Sequence, residues 1–324
     1  MVLAGSGPAD DTGGVILVTP VLPPTTRDVV EAADRLRPYV RRTPLLRLRL
    51  DGRPVVLKLE QLQLSGSFKL RGALNAVLAG HAHEHVVTAS GGNHGLGVAT
   101  AAAILGITAT VFVPASVPEI KARRIAAQGV SLVRTGATYA EAAAAAAELA
   151  ARPGHRYVPA FDDPLVVAGN GTVAAEVVAD APDVDTVVVA AGGGGLAAGS
   201  ALAVGDRLLV AAEPERCSAV HDALLAGRPV DAPVDSVASS ALGATRIGQV
   251  PFDVLAPRVR SGAVSSVLVA EAAIVEARDR LWEECRIATE AAAAVPLAAW
   301  LAGEVPGELP CLVICGANAE WTPL

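Results

Sequence analysis

Residues 58–75 read KLEQLQLSGSFKLRGALN, and this stretch sets one lysine, Lys69, at the mouth of a helix. Lys69 follows a Ser65-Gly66-Ser67 turn in which Ser67 is suited to cap the helix, and Leu70, Ala73, Leu74 and Val77 then recur at helical spacing. An ammonium gains nothing from the positive end of a helix dipole, so a lysine there is better placed as an imine with a phosphate in the neighbourhood. A phosphate cradle is present elsewhere. After the strand-like Thr186-Val187-Val188-Val189 come Gly192-Gly193-Gly194-Gly195-Leu196 and an Ala-rich helix, the layout in which backbone N–H groups converge on a dianion.

Outward from these two points the chain alternates strand and helix. The pattern predicts strands at Val55–Glu60, Val86–Ala89, Thr108–Val113, Ser131–Arg134, Thr186–Val189, Leu208–Glu213 and Pro310–Cys315. It predicts helices over Phe68–Leu78, His94–Leu105, Lys121–Gln128, Tyr139–Ala151, Leu165–Ala179 and Ala270–Cys285. PAFDDP, residues 159–164, reads as a linker. Two doubly wound α/β domains are expected: a large one from residues 1–84 and 162–324, and a small one from residues 85–161 inserted into it.

Composition bounds the function. With 324 residues and 52% of them hydrophobic, the chain can bury a large core. A net charge of -7 excludes a nucleic-acid or anionic-membrane partner as the expected one. Four cysteines without a CxxC pair point to a reducing cytoplasm and to no zinc site. The uncharged run Gly95–Pro118 is long enough to cross a bilayer, but Gly106 and Pro114 divide it into helix, turn and strand. Residues 1–20 read as a loose arm without the basic start of a secretory signal.

Two further turns carry polar groups where apolar elements end. Ser90-Gly91-Gly92-Asn93-His94-Gly95 joins a buried strand to a helix N-terminus, a place suited to a carboxylate or phosphate. Cys315-Gly316-Ala317-Asn318 follows Leu312-Val313-Ile314 at the carboxyl edge of the sheet, where ligands of open α/β folds bind. Each has a bland alternative: glycine turns are common loop chemistry, a lone helix lysine is commonly solvated, and a lone cysteine is commonly a small core hydrophobe. His94 reads as a helix-start residue rather than a base, and His81, His83, His85, His155 and His221 as surface residues. Gly193-x-Gly195-x-x-Ala198, with Glu213 ending the next strand, also satisfies a weak dinucleotide fingerprint. That rival, an NAD(P)-dependent oxidoreductase, leaves the lysine turn and the SGGNHG turn without a role, and so does a non-catalytic binding module.

Taken in order, these residues resemble the fold type II (β-family) pyridoxal-phosphate enzymes, and within them the threonine/serine dehydratases. The resemblance runs from Thr43-Pro44-Leu45 to Cys315 and is strongest at Ser67-Phe68-Lys69-Leu70-Arg71-Gly72-Ala73, where Leu70 is of the dehydratase kind. It implies a tryptophan-synthase-β-like fold with pyridoxal 5'-phosphate in the cleft between the domains. Lys69 would hold the cofactor as an imine and, once freed, act as base; Phe68 would pack on the ring and Asn93 would bond its 3'-oxygen. Gly192, Gly193, Gly194, Gly195 and Leu196 would bind the phosphate, Cys315 would face the pyridine nitrogen, and Gly243 would cover the other ring face. Ser90, Gly91, Gly92, Asn93 and His94 would clamp the substrate carboxylate. The implied reaction is β-elimination from a hydroxy amino acid such as L-threonine or L-serine to a 2-keto acid and ammonia. β-Substitution, or another 3-hydroxy amino acid in specialised metabolism, is the alternative, and a homodimer is usual for the family.

Departures from the family sharpen the expectation. Racemising relatives carry a serine where this chain has Gly91, so elimination with little racemisation is expected. Glu213 is present, but Glu215–Ala219 lacks the aspartate of metal-binding relatives, so no metal is expected. Ala317 replaces a second glycine, and SSALGATRIG, residues 239–248, matches only loosely. The chain ends shortly after Cys315, and no regulatory domain or isoleucine feedback is expected.

Overall fold

The computed structural model describes residues 21–80 and 85–319. The N-terminal arm expected over residues 1–20, and His81 and His83, lie outside the described residues. The elements run α1 (Thr26–Leu36), β1 (Leu45–Leu50), β2 (Arg53–Lys58), α2 (Lys69–Ala79), β3 (His85–Ala89), α3 (Asn93–Leu105), β4 (Thr108–Val113), α4 (Glu119–Ala126), β5 (Ser131–Arg134), α5 (Tyr139–Ala150), β6 (His155–Tyr157) and α6 (Pro164–Asp180). They continue with β7 (Thr186–Ala190), α7 (Gly195–Ala203), β8 (Leu208–Pro214), α8 (Ala219–Ala226), α9 (Ser239–Leu242), α10 (Gln249–Arg260), β9 (Val264–Val269), α11 (Glu271–Cys285), α12 (Ala291–Leu301) and β10 (Pro310–Val313).

Two sheets result. The larger has the order β1-β2-β10-β7-β8-β9 and is parallel except for the β1–β2 hairpin at its edge. The smaller, β5-β4-β3-β6, is parallel throughout, and its strands all fall between His85 and Tyr157. Strands β7 and β8 are buried on both faces, as central parallel strands covered by helices are, and they form the centre of the main core with α12. β1 is different: LLRLRL alternates, as an edge strand half open to water does. The uncharged run divides as expected, with Gly106 ending α3 at a φ of 66° before β4. Among the described residues no helix is long and apolar enough to cross a membrane.

The start of α2 corrects one expectation. Phe68, not Ser67, holds the N-cap position, and no side chain caps the helix. Ser67 is drawn into a backbone bridge with Gly316 instead, and its buried hydroxyl has no hydrogen-bond partner among the described residues. That bridge, with the Phe68 N–H donating to the Cys315 carbonyl at 3.1 Å, ties the first turn of α2 to the end of β10.

Candidate active site

Three neighbouring strands of the large sheet deliver their following loops to one edge. After β2 comes Lys69, after β10 comes Cys315, and after β7 comes the glycine run; all three line a single cleft. Lysine occurs three times in the chain, at Lys58, Lys69 and Lys121. Lys58 is fully buried and held by Glu176 at 2.5 Å and by the Thr43 carbonyl at 2.7 Å, so its amine is committed to structure. Lys69 instead donates to the Ala160 carbonyl at 2.9 Å, with its Nζ 5.1 Å from the centre of the Phe68 ring. Burial lowers its pKa to about 8, against the opposing pull of Cys315 and Glu290. A fraction of the amine is therefore neutral near neutral pH, as a nucleophile or base requires.

The glycine run fits a phosphate because it carries no side chains. A Cβ on Gly193 would overlap the Phe161 ring, and Gly194 has a φ of +88°, a left-handed conformation that a side chain would strain. The first N–H groups of α7 lack partners within the helix and aim their dipoles at this loop. Phe161, which the sequence places only within a linker, walls the cleft beside the glycines. The flanking Asp163 caps α6 by accepting from the Leu165 and Val166 N–H groups.

Cys315 is buried at the cleft edge, where desolvation, reinforced by Glu290, pushes its thiol well above the usual range. It stays a neutral thiol at any working pH. Glu290, which sequence reading missed, sits beside it. Its Oε1 accepts from the Asn93 Nδ2 at 2.6 Å, while the Asn93 Oδ1 accepts from the Asn318 Nδ2 at 2.9 Å. Burial raises the Glu290 pKa to about 7, partly offset by the Asn93 bond and the charge of Lys121. The available signal was a lone acid directly before AAAAVPLAAWL, a run too apolar to leave its N-cap residue in water.

The SGGNHG turn is brought in only in part. Gly91, Gly92 and Asn93 line a cavity contiguous with the cleft through Asn93 and Glu290. Ser90 shapes the turn, its Oγ accepting from the Gly92 N–H at 3.2 Å. The His94 side chain departs from the expectation of a substrate contact: it is buried and its Nε2 bonds the Val158 carbonyl at 2.9 Å, with desolvation lowering its pKa to about 3. Gly243 is also corrected. It ends the short α9 with a Cβ direction facing the Ser239 carbonyl, and the segment offers Ala241 and Leu242 to the cleft in its place. Glu213 accepts from the Val220 and His221 N–H groups at 3.1 and 2.7 Å, so its carboxylate caps α8 and is not free for a ribose hydroxyl. Among the described residues no cluster could hold a metal ion.

A family model described as pyridoxal-phosphate dependent enzyme matches residues 36–316, and the chain belongs to that family. It is a pyridoxal-phosphate enzyme of the tryptophan-synthase-β-like fold, and the cleft fits the cofactor. The chain is 37% identical over 306 residues to an L-threonine ammonia-lyase of Geobacter sulfurreducens, covering 90% of this chain and 75% of that one. It is 32% identical to a serine racemase of Arabidopsis thaliana, with 90% and 92% covered. A solved threonine deaminase from T.th. superposes with a TM-score of 0.85 at 35% identity, covering 93% of this chain and all of that one.

Glu290 and Lys69 influence each other, which sets a pH prediction. Glu290 raises the lysine's pKa, so Glu290→Gln is expected to lower it further. Cofactor loading of the apo-protein needs the neutral amine and rises with pH through about 8. In the variant the midpoint should move to lower pH, followed as growth of the visible band after mixing with pyridoxal phosphate. An unmoved midpoint would separate Glu290 from the lysine.

Proposed function

We propose that this enzyme is an ammonia-lyase that removes the β-hydroxyl and the amino group of a small hydroxy amino acid, giving a 2-keto acid and ammonia. The observation that carries the reading is the pairing of a buried, weakly basic Lys69 with the neutral Cys315 thiol across one cleft. Bound pyridoxal phosphate supplies an aldehyde for the substrate amine and a conjugated ring that accepts electrons from Cα. A thiol is a weak hydrogen-bond partner that carries no charge, so Cys315 does not hold the ring nitrogen protonated as a carboxylate would. That weakens the electron sink and favours prompt loss of the β-substituent.

The residues of this chain divide the remaining work. Lys69, in a dry site, takes the Cα proton. Gly192–Gly195 and the start of α7 hold the phosphate, and the turn at Gly91–Asn93 receives the α-carboxylate. Asn93, fixed between Glu290 and Asn318, orients the cofactor ring. The balance is redox-neutral: water leaves from Cα and Cβ, and one water returns when the released enamine hydrolyses to keto acid and ammonia. On this reading residues 85–161 act as a small mobile domain that closes the cleft over residues 162–319 and the preceding lysine turn. The test is keto-acid release from L-threonine and L-serine by the loaded enzyme; a visible band without keto acid would move the reaction to β-substitution.

Racemisation is disfavoured by an observation of its own. A Cβ on Gly91 would overlap the Val117 side chain, so the volume that a second acid–base group needs is filled. Recovered substrate is expected to remain of one hand during turnover in D2O. Gly91→Ser alone should fail to introduce racemisation, whereas Gly91→Ser with Val117→Ala has the room; chiral chromatography of recovered serine distinguishes these outcomes.

A further inference from the structure

We propose that the preferred substrate carries a second anion on its side chain, as a 3-hydroxy dicarboxylic amino acid does, and that Lys121 and Arg124 bind it. This rests on the elimination reading and adds its substrate class. The cavity beside the cofactor cleft shares Asn93 and Glu290 with it, and α4 contributes Lys121 and Arg124 to its lining. The two lie three residues apart, on one face of the helix. The only acid of α4, Glu119, is already paired with Arg123 at 3.1 Å and Arg134 at 2.6 Å. Among the described residues neither Lys121 nor Arg124 has a carboxylate in ion-pair reach. Glu290 is the one acid lining the cavity, and its Oε1 is bonded to Asn93.

None of the substrate's three other anchors is on α4. Its amine goes to the cofactor, its α-carboxylate to the Gly91–Asn93 turn, and its Cα proton to Lys69. What remains is the group beyond Cβ. Ser240, whose carbonyl lies 3.4 Å from a Cβ on Gly92, also lines the cavity, and the one acid there, Glu290, already accepts from Asn93 through its Oε1. A methyl group or hydrogen beside Lys121 and Arg124 would pair with neither cation; a carboxylate can pair with both. One well-placed charge pair in a partly exposed site is worth about tenfold in affinity.

Two measurements on the loaded enzyme test the proposal. The first compares binding of L-aspartate and L-alanine, neither of which has a β-hydroxyl to lose, by calorimetry. Aspartate is expected to bind at least about tenfold more tightly, and Arg124→Ala to remove most of that margin. The second compares kcat/KM for L-threo-3-hydroxyaspartate and L-threonine. The ratio should favour the dicarboxylate and fall about tenfold in Arg124→Ala. Aspartate binding no better than alanine overturns the inference whether or not elimination occurs. Tighter aspartate binding without keto acid from any hydroxy amino acid overturns the elimination reading and leaves the cationic wall standing. A fall in kcat/KM that is equal for both substrates would also reject the assignment of Arg124.

Discussion

Lys69→Ala is expected to abolish covalent attachment of pyridoxal phosphate and to lower kcat for keto-acid formation by about 10³-fold or more, because in the proposed mechanism the same amine binds the cofactor and moves the Cα proton. The chain offers no substitute. Lys58, the nearest in sequence, is closed off by Glu176 and the Thr43 carbonyl, and Lys121 stands on α4 and lines the adjoining cavity. Borohydride reduction of the loaded wild type should therefore label one peptide, the one containing Lys69, and reduction of the variant should label none. Lys69→Arg separates charge from chemistry: it keeps a cation beside Glu290 but no nucleophile, and should be as inactive as alanine. A variant that kept its band and labelled another lysine would reject the assignment. Circular dichroism and bound phosphate provide the control for folding, since the glycine cradle does not depend on the lysine.

The parts of this fold that sequence makes legible are those where local chemistry and global role coincide. The lysine turn, the glycine run after β7 and the uncharged α3–β4 segment are set by spacing over a few residues, and each lies within a few residues of its expected bounds. What sequence hides is pairing across the chain. Glu290 looks like any helix-start acid until α12 is seen to be buried and to bring it beside Asn93, 197 residues away in sequence. Phe161 and His94 fail for the complementary reason: a linker phenylalanine became a wall, and a turn histidine found a carbonyl 64 residues away in place of the substrate. Gly243 misleads because the loop around it is positioned by tertiary contact, with no periodic pattern from which to read it. Arg71 belongs to the most distinctive motif of the chain, yet its role there is invisible without the fold.

Arg71→Met should destabilise the protein by about 3–5 kcal/mol, the cost of stranding a buried carboxylate. The Arg71 side chain is fully buried. It donates to both oxygens of Glu60 at 2.8 and 2.7 Å and to both of Glu176 at 2.7 and 2.9 Å. Lys58 completes the set on Glu176, and Thr43 donates its hydroxyl to Glu60 at 2.5 Å. Two cations thus balance two carboxylates among β2, the turn after it, α2 and α6. Removing Arg71 leaves Glu176 with Lys58 but leaves Glu60 with a single hydroxyl. Burial works against the Glu60 charge and the Arg71 guanidinium more than offsets it, so the native pKa lies below the usual carboxylate value. A depressed pKa gives stability that is present above the unfolded value and lost as pH falls through the folded one. In the variant Glu60 takes up a proton in the folded state instead, and the stability gap from wild type should narrow as pH drops toward the ordinary carboxylate range. Urea unfolding at several pH values measures this. Adding Glu60→Gln to Arg71→Met should recover part of the loss at neutral pH by removing the stranded charge; a double variant no more stable than the single one would place the cost in packing. Because Arg71 stands two residues after Lys69 on α2, the single variant is also expected to bind cofactor more weakly, which links the interior ion network to the position of the reactive amine.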